Sequence, residues 1–268
     1  MRVLITGAAG RIGGYLRSRL AQPGRVLRLL DIAPMTAAPG EEVIQASVTD
    51  ADVLSEACRD VNAVVHLAGI PSETEWDRIL RTNIDGTYQA IEAARRAGVR
   101  RFVFASSNHA VGFLPRHSRR KAPDYAFPAP DTYYGVSKVV GEALSALYHH
   151  RYGMDAVCLR ILSCRDRPAT TRELATWLSP DDAGRLFEAA LSTPSPGFRV
   201  VWGVSANTRA WFSMAEAAAL GYHPQDDAEA YADEILSEHG DSPDDPVHRL
   251  VGGPFTLGTF DADRLTDR

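Results

Sequence analysis

The stretch Arg2-Val-Leu-Ile-Thr-Gly-Ala-Ala-Gly-Arg-Ile-Gly13 decides the fold class. Its apolar first half predicts a buried strand, and Gly7, Gly10 and Gly13 follow in a turn that opens a helical pattern. Glycine permits the tight turn and lets backbone N–H groups approach a pyrophosphate, while the helix N-terminus adds a dipole that favours an anion. The spacing therefore predicts a strand, glycine turn and helix that bind a dinucleotide.

Asp31 ends the next apolar run, 18 residues after Gly13. A carboxylate at this position accepts hydrogen bonds from the adenosine ribose hydroxyls, and its charge repels a 2′-phosphate. We therefore expect NAD, rather than NADP, as the cofactor.

Short apolar runs alternate with amphipathic patterns over the first two-thirds of the chain. Predicted strands are Arg2–Thr6, Val26–Asp31, Val43–Ala46, Ala63–Leu67, Phe102–Ser106 and Ala156–Ile161. Predicted helices are Arg11–Ala21, Ala51–Cys58, Trp76–Ala97 and Thr132–Tyr152. Asp50 and Asp131 are expected N-caps, and Gly98 and Gly153 expected C-terminal stops. Continuously apolar strands that alternate with helices predict an α/β fold, a Rossmann-type doubly wound parallel sheet.

Residues 162–268 are less regular. They contain a predicted helix at Pro180–Ser192, a predicted strand at Phe198–Trp202 and an Ala-rich helical stretch at Met214–Leu220. We expect one domain, residues 1–268, in which 1–161 form the NAD-binding Rossmann core. Residues 162–268 then form a small C-terminal substrate-capping region packed on that core.

The composition excludes several classes of partner. The chain of 268 residues has 29 Lys and Arg against 34 Asp and Glu, a net charge of −5, and so lacks the field that draws a protein to nucleic acid or an anionic membrane. No 18-residue apolar run and no signal peptide are recognised. Cys58, Cys158 and Cys164 show no metal-ligand spacing. We expect a soluble cytoplasmic protein without metal, nucleic acid or membrane.

The proline-rich segment Phe113–Pro130 contains the basic residues Arg116, Arg119, Arg120 and Lys121. Its charge pattern favours a solvated loop. A role in gating the site or in subunit contact is the alternative.

Tyr134 and Lys138 lie four residues apart at the start of a predicted helix and so share one face. An ammonium beside a phenol lowers the pKa of the phenol from about 10, which would make Tyr134 a general base. Upstream, Ser107, Asn108 and His109 follow a predicted strand, where ligands bind in open α/β sheets. These polar groups would orient a substrate oxygen or form a polar turn.

At these residues the chain resembles the extended short-chain dehydrogenase/reductase superfamily. The matching motifs are Thr6-Gly-x-x-Gly-x-x-Gly13, His66-Leu-Ala-Gly69, Asn83-Ile-x-Gly-Thr87, the serine after the fifth strand and Tyr134-x-x-x-Lys138. The resemblance implies that Ser107 hydrogen-bonds the reacting oxygen and that Tyr134 is the general acid/base. It implies that Lys138 holds the nicotinamide ribose and that Asn83 supports a proton-relay water.

Further motifs resemble the uronate dehydrogenase family, namely Phe104-Ala-Ser-Ser-Asn-His109, Tyr134-Gly-Val-Ser-Lys138, Arg160-Ile-Leu-Ser-Cys164, Arg172-x-Leu-x-Thr-Trp177-Leu-Ser-x-Asp-Asp182 and Val200-Val-Trp-Gly-x-Ser-Ala-Asn207. Such enzymes oxidise glucuronate and galacturonate at C1 with NAD, which gives an aldarolactone. The implied cofactor residues are Gly7, Gly10, Arg11, Ile12, Gly13, Asp31, Ser47, Val48, Leu67, Ala68, Gly69, Asn83, Lys138, Ile161 and Cys164. The implied substrate residues are Ser72, Ser107, Asn108, His109, Tyr134, Ser163 and Arg172.

The chemistry of a hexuronate agrees with this assignment. Arg172 offers a planar fork for the single carboxylate of the sugar. Two positions depart from the family pattern: Ser47 stands where an acidic residue usually contacts adenine, and Pro71 stands where a substrate-contacting serine is usual, with Ser72 adjacent. The preferred uronate epimer and the pathway stay open.

Two other functions remain compatible with these motifs. An NAD-dependent sugar epimerase or dehydratase of the same superfamily would keep its cofactor and return the hydride. A non-catalytic NAD-sensing regulator normally lacks the tyrosine or the lysine. We also expect a homo-oligomer, paired through the helices Trp76–Ala97 or Thr132–Tyr152 as in relatives.

Overall fold

The computed structural model describes residues 1–117, 119–240 and 245–257. Its strands are β1 (Arg2–Thr6), β2 (Val26–Asp31), β3 (Glu41–Gln45), β4 (Ala63–His66), β5 (Arg101–Ser107), β6 (Asp155–Ile161), β7 (Ser163–Cys164), β8 (Trp177–Leu178) and β9 (Phe198–Gly203). Seven form a parallel sheet in the order β3-β2-β1-β4-β5-β6-β9, and β7 pairs with β8. The order reverses between β1 and β4, the place where such sheets bind ligands. The predicted Rossmann-type sheet is confirmed.

The α-helices of the described residues are α1 (Arg11–Arg19), α2 (Ala51–Ala57), α3 (Trp76–Ile79), α4 (Gly86–Arg96), α5 (Tyr133–Tyr152), α6 (Glu173–Thr176), α7 (Pro180–Ser192), α8 (Ala215–Ala219) and α9 (Ala232–His239). Single 3₁₀ turns lie at Asn108–Val111, Ala228–Tyr231, Pro246–His248 and Gly253–Thr256. Within the same residues, no helix has both the length and the apolar character needed to cross a bilayer.

Alternate residues of each central strand face opposite layers of helices. Val3 and Ile5 of β1 pack in a core with side chains of α1 and α7, whereas Leu4 packs in a second core with side chains of α2 and α4. Because both faces are covered, a fully apolar strand is stable here.

The predicted elements match the observed ones with ends shifted by at most two residues, except for the predicted helix Trp76–Ala97. That helix is divided into α3, a π-helical turn at Leu80–Asp85, and α4. In the π turn, the Asn83 carbonyl accepts a hydrogen bond from the Thr87 hydroxyl at 2.5 Å, and the Asn83 side chain bonds the backbone of Ile70. Hydropathy periodicity contains no signal for such a local widening.

Helix α5 begins one residue later than predicted. Its N-cap is Thr132, whose hydroxyl accepts from the Gly135 N–H at 2.9 Å, so the prediction of Asp131 as N-cap is wrong. Asp131 instead turns its carboxylate into the protein. The helix ends at Gly153, where φ is 69°, as predicted.

The sheet continues past residue 161. Its edge strand β9 comes from residues 198–203, and α7 packs with α1 in the first core. The division of the chain at residue 161 therefore does not coincide with the end of the sheet. Residues 241–244 and 258–268 of the predicted capping region lie outside the described residues.

The proline-rich segment is anchored to the sheet by hydrogen bonds from Arg160 on β6. Arg160 forms a buried ion pair with Glu142 on α5 at 2.8 Å, with side-chain exposures of 3% and 9%. Arg160 also donates to the carbonyls of Asp124 and Ala126 in the segment. Phe127, in the same segment, is 88% exposed. A side chain of the sheet thus fixes the backbone of this segment. The charge pattern of the segment alone does not indicate this contact.

Candidate active site

The glycine turn has no space for side chains at its two ends. Gly7 has φ of 72°, and a Cβ there would lie 2.6 Å from the Ala68 backbone nitrogen. A Cβ at Gly13 would lie 2.5 Å from the Ala8 carbonyl oxygen. The turn therefore packs directly on the end of β4 and on its own helix, with the first N–H groups of α1 left at the open edge of the sheet.

Asp31 ties the end of β2 to this turn. One carboxylate oxygen accepts from the Ala9 N–H at 2.9 Å, and the other accepts from the Ala33 N–H at 3.0 Å. The carboxylate also lies in the wall of the adjoining cavity, where its remaining lone pairs can accept from ribose hydroxyls.

A cavity of about 890 Å³ lies over the carboxyl ends of β1, β2, β4, β5 and β6. Most of the sequence-predicted residues line it, namely Gly7, Gly10, Arg11, Ile12, Gly13, Asp31, Ser47, Val48, Leu67, Ala68, Gly69, Ser107, Asn108, His109, Tyr134, Lys138, Ile161, Ser163 and Cys164. The glycine turn, the carboxylate at the ribose position and the size of the cavity fit an extended dinucleotide.

Ser72 and Asn83 do not line the cavity, whereas Pro71 does. Asn83 is buried, and its amide accepts from the Ile70 N–H at 2.8 Å and donates to the Ile70 carbonyl at 3.0 Å. It also donates to the Ser137 hydroxyl at 3.2 Å. In this structure Asn83 shapes the loop after β4 and connects it to α5.

Arg172 also lies outside the lining of the cavity. Its Nη1 donates to the carbonyls of Val247 and Leu250 at 3.2 and 3.4 Å, and its Nη2 donates to the Val251 carbonyl. Burial lowers the pKa of Arg172 to about 10, so the guanidinium is still charged at neutral pH. The residue predicted to face the substrate carboxylate thus contacts the backbone near the end of the chain.

Tyr134 and Lys138 meet in the cavity as predicted. Lys138 Nζ donates to the Ala105 carbonyl at 2.8 Å and lies 5.3 Å from the centre of the Tyr134 ring. The expected direction of the phenol pKa is wrong: burial raises the pKa of Tyr134 to about 12, and the Ser107 hydroxyl offsets only part of this rise. Burial also lowers the pKa of Lys138 to about 8. Desolvation is therefore the main influence on the pKa of both groups.

Sequence reasoning missed two residues that position this tyrosine and its neighbours. Glu73, in the loop after β4, accepts from the N–H groups of Tyr133 and Tyr134 at 3.1 and 2.9 Å, and so caps the start of α5. Asp131 contacts the His109 Nδ1 at 2.8 Å. Glu73 lies 60 residues before Tyr133, and no local pattern marks the contact. The sequence could have suggested the role of Asp131, because an aspartate that precedes a helix can bond a neighbouring side chain instead of capping the helix.

Phe255 is a third missed residue. Its ring lies 4.2 Å from the centre of the His109 ring. The Asn108 amide donates to the nearby Val251 carbonyl at 3.0 Å. The segment 247–255 therefore contacts Asn108, His109 and Arg172 together, which the irregular sequence of this region does not reveal.

The fold and the cavity residues define a member of the NAD dependent epimerase/dehydratase family, whose family model matches residues 3–164. The chain is 41% identical to the uronate dehydrogenase of Pseudomonas putida, over 96% of each chain. It is 39% identical to an NAD-dependent glucose-6-phosphate dehydrogenase of Haloferax volcanii, over 84% of this chain and 94% of that one. A solved mutant of the Agrobacterium tumefaciens uronate dehydrogenase, complexed with NAD, is 39% identical with a TM-score of 0.90, over 96% of this chain and 97% of the other. The chain therefore belongs, within that family, to the uronate dehydrogenases.

The glycine turn offers a matched pair of substitutions. In Gly13→Ala the new Cβ would strike the Ala8 carbonyl, whereas a Cβ at Gly14 meets nothing within 4 Å. We expect Gly13→Ala to raise the Kd for NADH about tenfold or more, since the turn must shift away from its packed position. Gly14→Ala should leave the Kd within about twofold. Fluorescence titration with NADH measures both, and equal affinities would contradict this description of the turn.

Proposed function

We propose that this protein oxidises hexuronates, glucuronate or galacturonate, at C1 with NAD and releases the aldarolactone. The observation that supports it most is the presence of Tyr134, Ser107 and Lys138 in one cavity with the glycine turn and Asp31. The membership of this chain in the uronate dehydrogenases supports a sugar acid as the substrate.

The residues of the cavity can hold the dinucleotide along its length. The glycine turn and the start of α1 would bind the pyrophosphate, Asp31 the adenosine ribose, and Ser47 and Val48 the adenine. Ile161, Cys164 and Lys138 would contact the nicotinamide end. When bound, NAD supplies the acceptor for the hydride from C1.

Tyr134 and Ser107 would act on the C1 hydroxyl. The Ser107 hydroxyl partly offsets the rise in the pKa of the Tyr134 phenol, and both residues line the cavity. A sugar hydroxyl between them would pass its proton to Tyr134 in its ionised, phenolate form, while Ser107 holds the developing carbonyl oxygen. The positive charge of the Lys138 ammonium, and that of a nicotinamide cation bound in the cavity, would favour the ionised form of the phenol.

Arg172 would bind the uronate carboxylate. It is half-buried, and within the described residues it forms no ion pair, only hydrogen bonds to neutral carbonyls. A partly desolvated guanidinium in such surroundings gains from an anionic ligand, because a carboxylate would compensate its charge better than peptide oxygens do. If a carboxylate binds in this way, some of the hydrogen bonds from the guanidinium to the carbonyls of residues 247–251 must break.

We further propose that residues 162–268 cover the substrate end of the cavity and that the protein is a homo-oligomer. Aromatic and aliphatic side chains on or beside α3, α4 and α5 are 41–51% exposed, namely Trp76, Tyr88, Tyr133, Leu147 and Tyr152. Exposed apolar residues clustered on helices favour association. Sedimentation equilibrium should give a mass at least twice 29.2 kDa; a monomer at working concentration would contradict the proposal.

The general-base assignment is tested with Tyr134→Phe. Loss of the ionisable oxygen should lower kcat with galacturonate by about 10²–10⁴-fold. Because the phenol is largely protonated at neutral pH, wild-type kcat/KM should rise with pH above 7, and the residual rate of Tyr134→Phe should not. Tyr133→Phe, at a half-exposed neighbouring ring, is the control. A Tyr134→Phe enzyme with near-normal NADH formation would remove Tyr134 from the reaction.

The carboxylate assignment is tested with Arg172→Ala. We expect the KM for uronates to rise about tenfold or more, since a charge-assisted bidentate contact is lost, with little change for a neutral aldose. Exposed Arg167, changed to Ala, is the control. Glucose 6-phosphate and L-arabinose belong in the same panel, assayed with NAD and NADP. An equal loss for neutral and acidic sugars would refute the carboxylate contact.

The same assays separate the dehydrogenase from the epimerase or dehydratase alternative. A dehydrogenase accumulates NADH in proportion to the sugar consumed. An enzyme that returns the hydride converts sugar without net NADH and retains its dinucleotide through purification.

A further inference from the structure

The carboxylate of Asp131 occupies a pocket formed by glycines. Its side chain has no exposed surface. A Cβ at Gly112 or at Gly252 would overlap the carboxylate, and one at Gly135 would lie 3.2 Å from it. These three glycines come from the end of the 3₁₀ turn after β5, from the segment near the C-terminus and from the first turn of α5. Burial of a carboxylate costs free energy unless hydrogen bonds compensate for the lost water, so the groups that bond Asp131 indicate its role.

Two groups bond this carboxylate. The His109 Nδ1 lies 2.8 Å from one oxygen, and the Thr132 hydroxyl donates to the other at 3.1 Å. An ionised carboxylate accepts hydrogen bonds and donates none. The His109 Nδ1 must therefore carry a hydrogen, and in the neutral imidazole Nε2 is then the acceptor. The same carboxylate–histidine arrangement fixes the tautomer of histidines that bind metals.

The His109 ring stands in the wall of the cavity beside the catalytic tyrosine. Its centre is 5.8 Å from that of Tyr134, in an edge-to-face arrangement, and 4.2 Å from that of Phe255. Within the described part of the chain, Nε2 forms no hydrogen bond. The imidazole is thus held on three sides, by Asp131, Tyr134 and Phe255, with one acceptor unused.

We propose that Asp131 is a positioning residue for substrate recognition: it holds His109 in the tautomer whose Nε2 accepts a hydrogen bond from a sugar hydroxyl other than the one at C1. This inference rests on the proposed oxidation of a sugar acid. The fixed tautomer of His109 makes the enzyme selective for a substrate that presents a hydroxyl donor to Nε2. Asp131 itself does not line the cavity.

The functional experiment is a double-mutant cycle of Asp131→Asn and His109→Ala, assayed with galacturonate and its C2, C3 and C4 deoxy analogues. An asparagine can turn its amide N–H toward Nδ1 and favour the opposite tautomer. We expect Asp131→Asn alone to lower kcat/KM about tenfold, chiefly through KM, and to change it less than about twofold in the His109→Ala background. The Kd for NADH should stay within about twofold.

One deoxy analogue should be a poor substrate of the wild type, and its disadvantage should vanish equally in Asp131→Asn and His109→Ala. The control is Asp182→Asn, at another carboxylate without exposed surface, which lies outside the cavity lining. If Asp131 merely supports the fold, Asp131→Asn will cost as much in the His109→Ala background as in the wild type. That result would overturn the proposal.

A measurement without catalysis decides the tautomer even if Asp131→Asn fails to fold. Long-range ¹H–¹⁵N correlation spectra of the wild type, assigned with His109→Ala, should show His109 with hydrogen on Nδ1 and a bare Nε2. Hydrogen on Nε2 at neutral pH would refute the role of Asp131. If uronates are not oxidised, the proposed function fails, and the spectrum still reports on His109.

Discussion

The hydrogen bond from the Lys138 ammonium to the Ala105 carbonyl fixes helix α5 to the end of β5, and the position of Tyr134 in the cavity depends on it. The carbonyl lies on a strand next to β4, against whose end the glycine turn packs. Tyr134, one helical turn earlier, is thereby held over the same sheet edge as the first N–H groups of α1. Glu73 reinforces this arrangement, because its carboxylate caps α5 at Tyr133 and Tyr134 from the loop after β4. Parallel strands bring these groups together only at their carboxyl ends.

Burial sets the electrostatics of the site. The pKa of Tyr134 is raised and the pKa of Lys138 is lowered by the same loss of water, so burial disfavours the charged form of both side chains. The Arg172 guanidinium lies among peptide carbonyls, and the Asp131 side chain lies between glycines. We infer that the ligands complete this charge distribution: an anionic sugar compensates the guanidinium, and a cation near the phenol favours its ionisation.

The sequence was sufficient for the parts of the fold that depend on local pattern. Apolar strands, the glycine turn, Asp31 and the spacing of Tyr134 and Lys138 all concern residues close in the chain, and the cavity contains them as predicted. Contacts between distant segments were not predictable. Arg172 meets the carbonyls of Val247 and Leu250 more than 70 residues later, and Asp131 is accommodated by Gly252. The direction of the Tyr134 pKa was wrong for a related reason: spacing on a helix shows proximity to a lysine but not the extent of desolvation.

The central claim is that hydride leaves C1 of a uronate for the nicotinamide while Tyr134 takes the hydroxyl proton. Mass spectrometry of the NADH formed from galacturonate deuterated at C1 tests this directly. We predict one deuterium in the nicotinamide ring for each sugar consumed and a slower turnover than with the unlabelled sugar. NADH without deuterium, or sugar converted with no NADH formed, would contradict it.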